Sequence, residues 1–191
     1  NYKSEMIESY FEDGSRWGAE ISYVRETKRL GTGGSLSLLP ELPKEPFFVM
    51  NGDLLTKVNF KGMLEFHETQ AQLATMAVRE YDVQIPFGVT ELDGHKIVGL
   101  SEKPVKRFFV NAGVYVLSPQ CLPLIPKDNF FDMPNLFQKL IDNGFSTASF
   151  PLHEYWLDIG RMSDFQRANM EYLENWTQTA GGQGRKGAGE K

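Results

Sequence analysis

Apolar residues follow two different spacings along this chain, one typical of strands and one typical of helices. Residues 46–50 form an uninterrupted apolar run, as expected for a strand buried on both faces of a parallel sheet. Residues 132–144 carry apolar side chains at helical spacing, with Asp132 as the cap and Gly144 at the end. The inward positions of this helix are Leu136, Phe137, Leu140 and Ile141.

The remaining elements alternate in the same way. Residues 88–92 and 96–100 flank Asp93-Gly94, which predicts a β-hairpin. Strands that alternate with helices predict an α/β protein, a three-layer sandwich around a mainly parallel sheet with the hairpin as an antiparallel excursion. Further strands are predicted over 20–26, 74–79, 108–117 and 147–152, and further helices over 4–12, 60–69 and 163–176.

Length and composition narrow the classes of protein. The 191 residues suit one domain, and the net charge of −5 argues against a nucleic-acid binder. No apolar run is long enough to cross a membrane. The single cysteine, Cys121, lies in an apolar stretch, so we expect a core residue in a cytoplasmic protein. The three histidines share no ligand spacing and no Walker loop is present, which argues against zinc sites and P-loop enzymes.

The two ends of the chain differ from its middle. From Thr177 onward the sequence is glycine-rich and poor in apolar residues, so residues 177–191 are expected to be a disordered tail. The chain starts at Asn1, without methionine and inside a predicted helix, so we expect that a preceding segment has been removed. Residues 1–176 are expected to form the domain.

Two aspartates follow apolar stretches. Asn51-Gly52-Asp53 ends the run over residues 46–50, and Asp158 lies in Trp156-Leu157-Asp158-Ile159-Gly160. Ligands of open α/β sheets bind beyond the carboxyl ends of the strands, and carboxylates placed there suit Mg²⁺ bound to phosphates. Local context alone leaves open that Asp53 only caps the next turn.

Three further segments have residues suited to a sugar phosphate. In Glu102-Lys103-Pro104, a carboxylate could accept sugar hydroxyls and an ammonium could meet a phosphate. Asn111-Ala112-Gly113 puts a polar amide and small residues into an apolar strand, and Gly88 leaves room beside the backbone. A solvated ion pair and an ordinary turn are the alternative interpretations.

Taken in order, these segments resemble the sugar-phosphate nucleotidyltransferase family over about residues 1–176. The resemblance implies a Rossmann-like sheet and attack of a sugar-1-phosphate oxygen on the α-phosphorus of a nucleoside triphosphate. The segments that carry it are Asn1-Tyr2 with the helix after them, Glu26, Leu30-Gly31-Thr32-Gly33-Gly34-Ser35-Leu36, Asn51-Gly52-Asp53, Pro86-Phe87-Gly88-Val89, Ser101-Glu102-Lys103-Pro104, Asn111-Ala112-Gly113-Val114-Tyr115 and Trp156-Leu157-Asp158-Ile159-Gly160.

The resemblance also implies a role for each matching residue. Asp53 and Asp158 would be catalytic and would hold Mg²⁺ on the nucleotide phosphates. The residues implied at the nucleotide are Glu26, Leu30, Gly31, Thr32, Gly33, Gly34 and Asn51. The residues implied at the sugar phosphate are Gly88, Glu102, Lys103, Asn111 and Gly113.

Glu26 and the glycine-rich segment resemble the guanylyltransferase branch, which favours GTP, although Arg29 and Phe87 depart from that branch. Uridine, thymidine and adenine nucleotides stay open, as do the sugar and a homo-oligomeric assembly. No residue matches the family's Gly-x-Gly-[Ser/Thr]-Arg phosphate loop or its first strand, so we expect this chain to be inactive alone. A non-catalytic sugar-phosphate or sugar-nucleotide binding module is the alternative function. A glycosyltransferase is disfavoured because no Asp-x-Asp motif occurs.

Overall fold

The computed structural model describes residues 3–176, apart from the side chains of Leu173 and Glu174. The tail predicted over residues 177–191 lies outside the described residues. None of the helices in the described range has the length and apolarity that a membrane span requires.

Helices and strands alternate as the sequence predicts. The α-helices of the described residues are Ser4–Phe11 (α1), Gly31–Gly34 (α2), Phe60–Thr69 (α3), Met133–Asp142 (α4) and Met162–Trp176 (α5). The strands are Phe47–Met50 (β1), Leu54–Thr56 (β2), Ala74–Gln84 (β3), Val89–Asp93 (β4), Lys96–Ser101 (β5), Val105–Leu117 (β6), Thr147–Pro151 (β7) and Trp156–Asp158 (β8).

The central sheet has the strand order β1-β6-β3-β7. Strand β6 runs antiparallel to both β1 and β3, while β3 and β7 are parallel. Strands β1, β3 and β7 therefore point the same way, and the sheet is mixed. The predicted hairpin is present as β4–β5, a separate two-stranded sheet.

Alternate residues of β6 enter two hydrophobic cores on opposite faces of the sheet. On one face Tyr115 packs against Phe137 of α4. On the other face Val114 and Val116 pack with Met63 of α3. Helices on both faces of one sheet give the three layers that the sequence predicts, and the α/β class is confirmed.

The doubly buried strand is β6 and not β1, which corrects the interpretation of residues 46–50. Strand β1 lies at the edge of the sheet and is half-buried, and Met50 is 40% exposed. Within residues 3–176 no strand pairs with the outer edge of β1. Strand β1 therefore has a hydrogen-bonded neighbour on one edge only, and its side chains stay partly exposed.

Two further expectations differ from the structure. Residues 20–26 form no strand, and within the described range none of the strands pairs with them. Ile141 is 55% exposed although it was predicted to face inward, whereas the other three apolar positions of α4 are buried. The core-facing stripe of α4 is thus one residue narrower than the spacing suggests.

Cys121 is a core residue, as predicted. It is fully buried, and its Sγ lies 2.9 Å from the carbonyl oxygen of Leu73. Burial raises the pKa of the thiol to about 11, so the side chain stays protonated and unreactive at neutral pH.

His67 is the buried ionisable residue that makes the core sensitive to pH. Its Nδ1 lies 2.9 Å from Thr75 Oγ1 and its Nε2 lies 3.0 Å from Ser118 Oγ. Because the Ser118 hydroxyl donates to Gln72, Nε2 is assigned as the donor and Nδ1 as the acceptor. Burial lowers the pKa of His67 below its usual 6.5, so the folded state favours the neutral ring.

We therefore expect the free energy of unfolding to fall as the pH drops below about 6.5, because the unfolded chain then binds a proton that the folded chain resists. Urea unfolding of wild type and His67→Gln between pH 5 and 7.5 measures this. The variant should show a flatter dependence, and His153→Gln, which changes an exposed histidine, should match wild type. Equal slopes in wild type and His67→Gln would contradict the assignment.

Candidate active site

A two-stranded sheet that the sequence analysis did not predict brings the two aspartates together. Strand β2 begins directly after Asp53, and β8 ends at Asp158. The strands are antiparallel, with Leu54 opposite Asp158, and the Ile159 amide donates to the Asp53 carbonyl at 2.8 Å. Asp53, directly before β2, and Asp158, at the end of β8, are therefore neighbours although they are 105 positions apart in the sequence.

The charge of Asp53 acts on the carboxyl group of Asp158. Loss of solvent around the carboxyl, and then the negative charges of Asp53 and Asp164, raise the pKa of Asp158. Like charges held close together in this way fit a divalent cation, which would remove the repulsion. Within residues 3–176 no group of three or more acidic, histidine or cysteine side chains is placed to hold a metal. A cation here would need further oxygen ligands from phosphate and water.

Asn51 and Gly113 join the end of β1 to the middle of β6. The backbone amide of Asn51 donates to the backbone carbonyl of Gly113 at 2.9 Å. Gly113 has a φ of +71°, and a Cβ there would lie 2.8 Å from Asn51 Nδ2. Only glycine fits this position without displacing Asn51.

Asn111 is held by its neighbours on β6. Its Nδ2 donates to the Tyr115 hydroxyl at 2.7 Å, and its Oδ1 accepts from the Gly113 amide at 2.9 Å. Tyr115 is itself buried, so the phenol is a fixed anchor. Asn111 is exposed, and its amide is therefore a preorganised polar group beside Gly113.

A cavity of about 740 Å³ connects the glycine-rich segment to the end of β1. It is large enough for a nucleotide-sized ligand. The lining residues are Ile7, Gly31, Thr32, Ser35, Met50, Asn51, Gly52 and Asp53. Four residues predicted at the nucleotide or the metal thus share one cavity.

The glycine-rich segment forms the short helix α2 and does not form an open loop. The amides of Gly33 and Gly34 both donate to the Phe131 carbonyl, at 2.9 and 2.8 Å. A Cβ on Gly34 would lie 2.6 Å from the Asn129 carbonyl oxygen. Both glycines and Leu30 are buried. These three residues therefore pack α2 against residues 129–133, while Gly31 and Thr32 line the cavity.

Glu26 lies outside this cavity. It lines a neighbouring cavity of about 210 Å³ between α1 and residues 23–26. Ile7 lines both cavities, so they meet at α1. An ion pair of 2.6 Å between Arg25 and Glu8 fixes residues 23–26 against α1.

The residues predicted at the sugar phosphate fall into two groups. Asn111 and Gly113 lie on β6 next to Asn51, as described above. Gly88 lies against Glu102, because a Cβ on Gly88 would be 3.0 Å from Glu102 Oε2. Lys103 adopts a left-handed conformation with a φ of 46° and is exposed, as is Glu102.

The family model for nucleotidyl transferases matches residues 1–175. The chain belongs to the nucleotidyl transferase family. A mannose-1-phosphate guanyltransferase from Candida glabrata is 32% identical in an alignment of 185 positions that covers 92% of this chain and 51% of that protein. A UTP–glucose-1-phosphate uridylyltransferase from Synechocystis is 30% identical in an alignment of 190 positions that covers 88% of this chain and 48% of that protein.

Among solved structures, this nucleotidyltransferase chain resembles HddC from Yersinia pseudotuberculosis complexed with GMP-PN. The TM-score is 0.61 at 21% identity, covering 90% of this chain and 75% of HddC. That likeness supports the fold, and the predicted fold is confirmed. The chain spans about half the length of the curated relatives that it matches.

Two nucleotidyltransferase residues were not identified as part of the site from the sequence. Asp132 was predicted only as a helix cap, and Tyr115 only as part of a family segment, yet both bind residues of the site. Asp132 Oδ1 accepts from the Thr32 amide at 2.9 Å. The signal that pointed to Asp132, an acidic residue before an amphipathic helix, gives no information about a partner 100 residues away.

Proposed function

We propose that this chain provides the nucleotide and acceptor sides of an enzyme that transfers a nucleotidyl group from a nucleoside triphosphate to a sugar-1-phosphate and releases pyrophosphate. The observation that carries the proposal is the pairing of β2 with β8, which brings Asp53, on the wall of a cavity of about 740 Å³, close to Asp158. Membership of the nucleotidyl transferase family and the sugar-1-phosphate relatives support it.

In this proposal Asp53 and Asp158 hold Mg²⁺, which supplies positive charge to the phosphates of the bound nucleotide. Asn51 and Gly113 separate the nucleotide cavity from the acceptor. Asn111, fixed by Tyr115, presents its amide to sugar hydroxyls. Positioning of the two substrates, more than acid–base chemistry, accounts for the rate.

Glu102 and Lys103 complete the acceptor side of the proposal. The carboxylate accepts hydroxyl protons from the sugar, and the ammonium pairs with its phosphate. Because Gly88 has no side chain, the carboxylate of Glu102 can lie close to its backbone. A Cβ on Gly88 would approach Glu102 Oε2 to 3.0 Å. The exposure of both charged side chains leaves them free to meet a ligand.

GTP is the proposed donor. The support is the glycine-rich segment, part of which lines the larger cavity, together with Glu26, which lines the smaller cavity on the other side of Ile7. The Glu26 carboxylate can accept hydrogen bonds from a base edge that carries an amino group. The Candida relative is a guanyltransferase and the HddC structure contains GMP-PN. The Synechocystis relative is a uridylyltransferase, so base choice needs a direct test.

A screen of GTP, UTP, dTTP and ATP against several sugar-1-phosphates, with Mg²⁺, tests the proposal. We expect pyrophosphate release by the whole protein to be fastest with GTP, by about tenfold or more, since a lost hydrogen-bonding partner leaves buried polar groups unpaired. Glu26→Gln should reduce that preference, whereas Glu20→Gln, an exposed change outside both cavities, should not. Faster release with UTP would overturn the donor assignment.

We also propose that the 191 residues alone do not turn over, because none of them matches the phosphate loop that the family resemblance implies. Binding experiments can therefore use this chain, and turnover experiments should use the whole protein. Pyrophosphate release by the 191-residue chain would contradict this part.

A non-catalytic binding module would need Glu102, Lys103 and Asn111 but neither aspartate. The placement of Asp53 directly before β2 and of Asp158 on the partner strand β8 favours the catalytic proposal.

A further inference from the structure

Reciprocal hydrogen bonds between Thr32 and residues 132–133 join α2 to the start of α4. The Met133 amide, at the first position of α4, donates to Thr32 Oγ1 at 2.9 Å. In return, Asp132 Oδ1 accepts from the Thr32 amide at 2.9 Å and from Thr32 Oγ1 at 3.2 Å. One hydroxyl thus donates to the carboxylate and accepts from the backbone of the partner helix, which fits its single proton and its lone pairs.

Backbone contacts reinforce these reciprocal hydrogen bonds. The Phe131 amide donates to the Leu30 carbonyl at 2.8 Å, and the Phe131 carbonyl accepts from two amides of α2. A Cβ on Gly31 would lie 2.7 Å from Asp132 Oδ1. The amides of residues 32–34 are therefore all used within the protein. Helix α2 contributes to the cavity through its position, since the amides of residues 32–34 already have partners within the protein.

We propose that Asp132 is a positioning residue of the nucleotide site. The inference rests on the proposed function. Gly31 and Thr32 line the cavity of about 740 Å³, whereas Asp132 does not. Asp132 instead fixes Thr32 through two charge-assisted hydrogen bonds, which are stronger than neutral ones. The carboxylate acts through α2 on the wall that faces the nucleotide.

The negative charge of Asp132 is favourable at its position in the fold. It occupies the N-cap position of α4, where the helix dipole stabilises a negative group. The Asp132 amide is bonded to Asn135 Oδ1 at 3.1 Å, so the backbone at this position is held independently of the carboxylate. The carboxylate also belongs to the capping box of α4, so a matched cap deletion is needed to separate its contact with Thr32 from its capping of α4.

The test compares Asp132→Ala, Asp132→Asn and a matched cap deletion in the whole protein. Asn59→Ala removes the N-cap of α3, whose side chain accepts from Gly62, and Asn59 does not line the cavity. Titration calorimetry measures the dissociation constants of Mg²⁺–GTP and of mannose-1-phosphate. Hydrogen exchange of residues 30–36 reports the order of α2.

We expect Asp132→Ala to weaken GTP binding about tenfold, with faster exchange at residues 32–34 and mannose-1-phosphate binding within twofold of wild type. Asp132→Asn keeps an acceptor oxygen for the Thr32 amide and should restore part of the loss. Asn59→Ala should lower stability without changing either dissociation constant. If Asp132 acted only as a helix cap, Asp132→Ala and Asn59→Ala would show the same pattern of stability and of ligand binding.

The outcomes separate this inference from the proposed function. If wild type binds GTP and Asp132→Ala binds it equally well, the positioning role is wrong and the proposed function stands. The positioning role is also wrong, and the proposed function stands, if Asp132→Ala weakens the binding of GTP and of mannose-1-phosphate equally. If wild type binds neither ligand, the proposed function fails, and the positioning role fails with it.

Discussion

Replacing Asp158 with asparagine should lower kcat/KM for pyrophosphate release by about a thousandfold or more, which is the scale of losing a main source of charge stabilisation in the transition state. Asparagine preserves the size of the side chain but removes its charge. Leu54 would still pair with residue 158, and the Ile159 amide would still donate to Asp53, so the fold should persist. Asp53→Asn should behave in the same way.

Asp164→Asn is the matched control for this loss. Asp164 also raises the pKa of Asp158, but its Oδ2 accepts from the Arg161 amide at the start of α5. We expect its kcat/KM within about threefold of wild type, because this carboxylate is already bonded to the backbone at the start of α5 and is not proposed to hold the metal. Titration with Mg²⁺ in the presence of GTP should show binding like that of wild type in the control and weaker binding in both aspartate variants. Full activity of Asp53→Asn and Asp158→Asn would remove the metal assignment.

Gly113→Ala should lower the free energy of unfolding by about 3 kcal/mol, the sum of left-handed backbone strain and overpacking at a buried site. Gly113 has a φ of +71°, and the added Cβ would lie 2.8 Å from Asn51 Nδ2 and 3.0 Å from Leu54. Asn51 and the start of β2 would have to move. Urea unfolding of the 191-residue chain measures the loss.

Gly144→Ala separates the two causes. Gly144 has nearly the same φ, +72°, but a Cβ there would meet nothing within 4 Å. Its loss should be only about 1 kcal/mol, the cost of the backbone conformation. The difference between the variants measures the clash at Asn51. Equal losses in the free energy of unfolding would mean that Asn51 and the start of β2 can move without further cost.

The local elements could be predicted from the sequence because local signals specify them. Helix α3 has its predicted bounds, 60–69, and the hairpin at Asp93-Gly94 follows from its turn residues. The same rules could not reveal which strand lies at the sheet edge. Residues 46–50 have the composition of a central strand, and their half-burial depends on pairing that the run itself does not encode.

The site could be predicted in part. The resemblance placed Asp53 and Asp158 in one centre, but β2 and β8, which bring them together, have three residues each and leave no periodic pattern. Glycines 33 and 34 were interpreted as contacts for a ligand, although their nearest neighbours are protein backbone atoms. Contacts between segments a hundred residues apart, such as that of Thr32 with Asp132, are visible only after folding.

The position of bond cleavage tests the central claim most directly. The whole protein is incubated with Mg²⁺, GTP that carries a radioactive α-phosphate, and each of a panel of sugar-1-phosphates in turn. Nucleotidyl transfer predicts that the label moves into a sugar nucleotide while unlabelled pyrophosphate appears in equal amount, and that neither forms without the sugar phosphate. Label that stays in GTP, or that leaves as GDP with inorganic phosphate, would contradict the account.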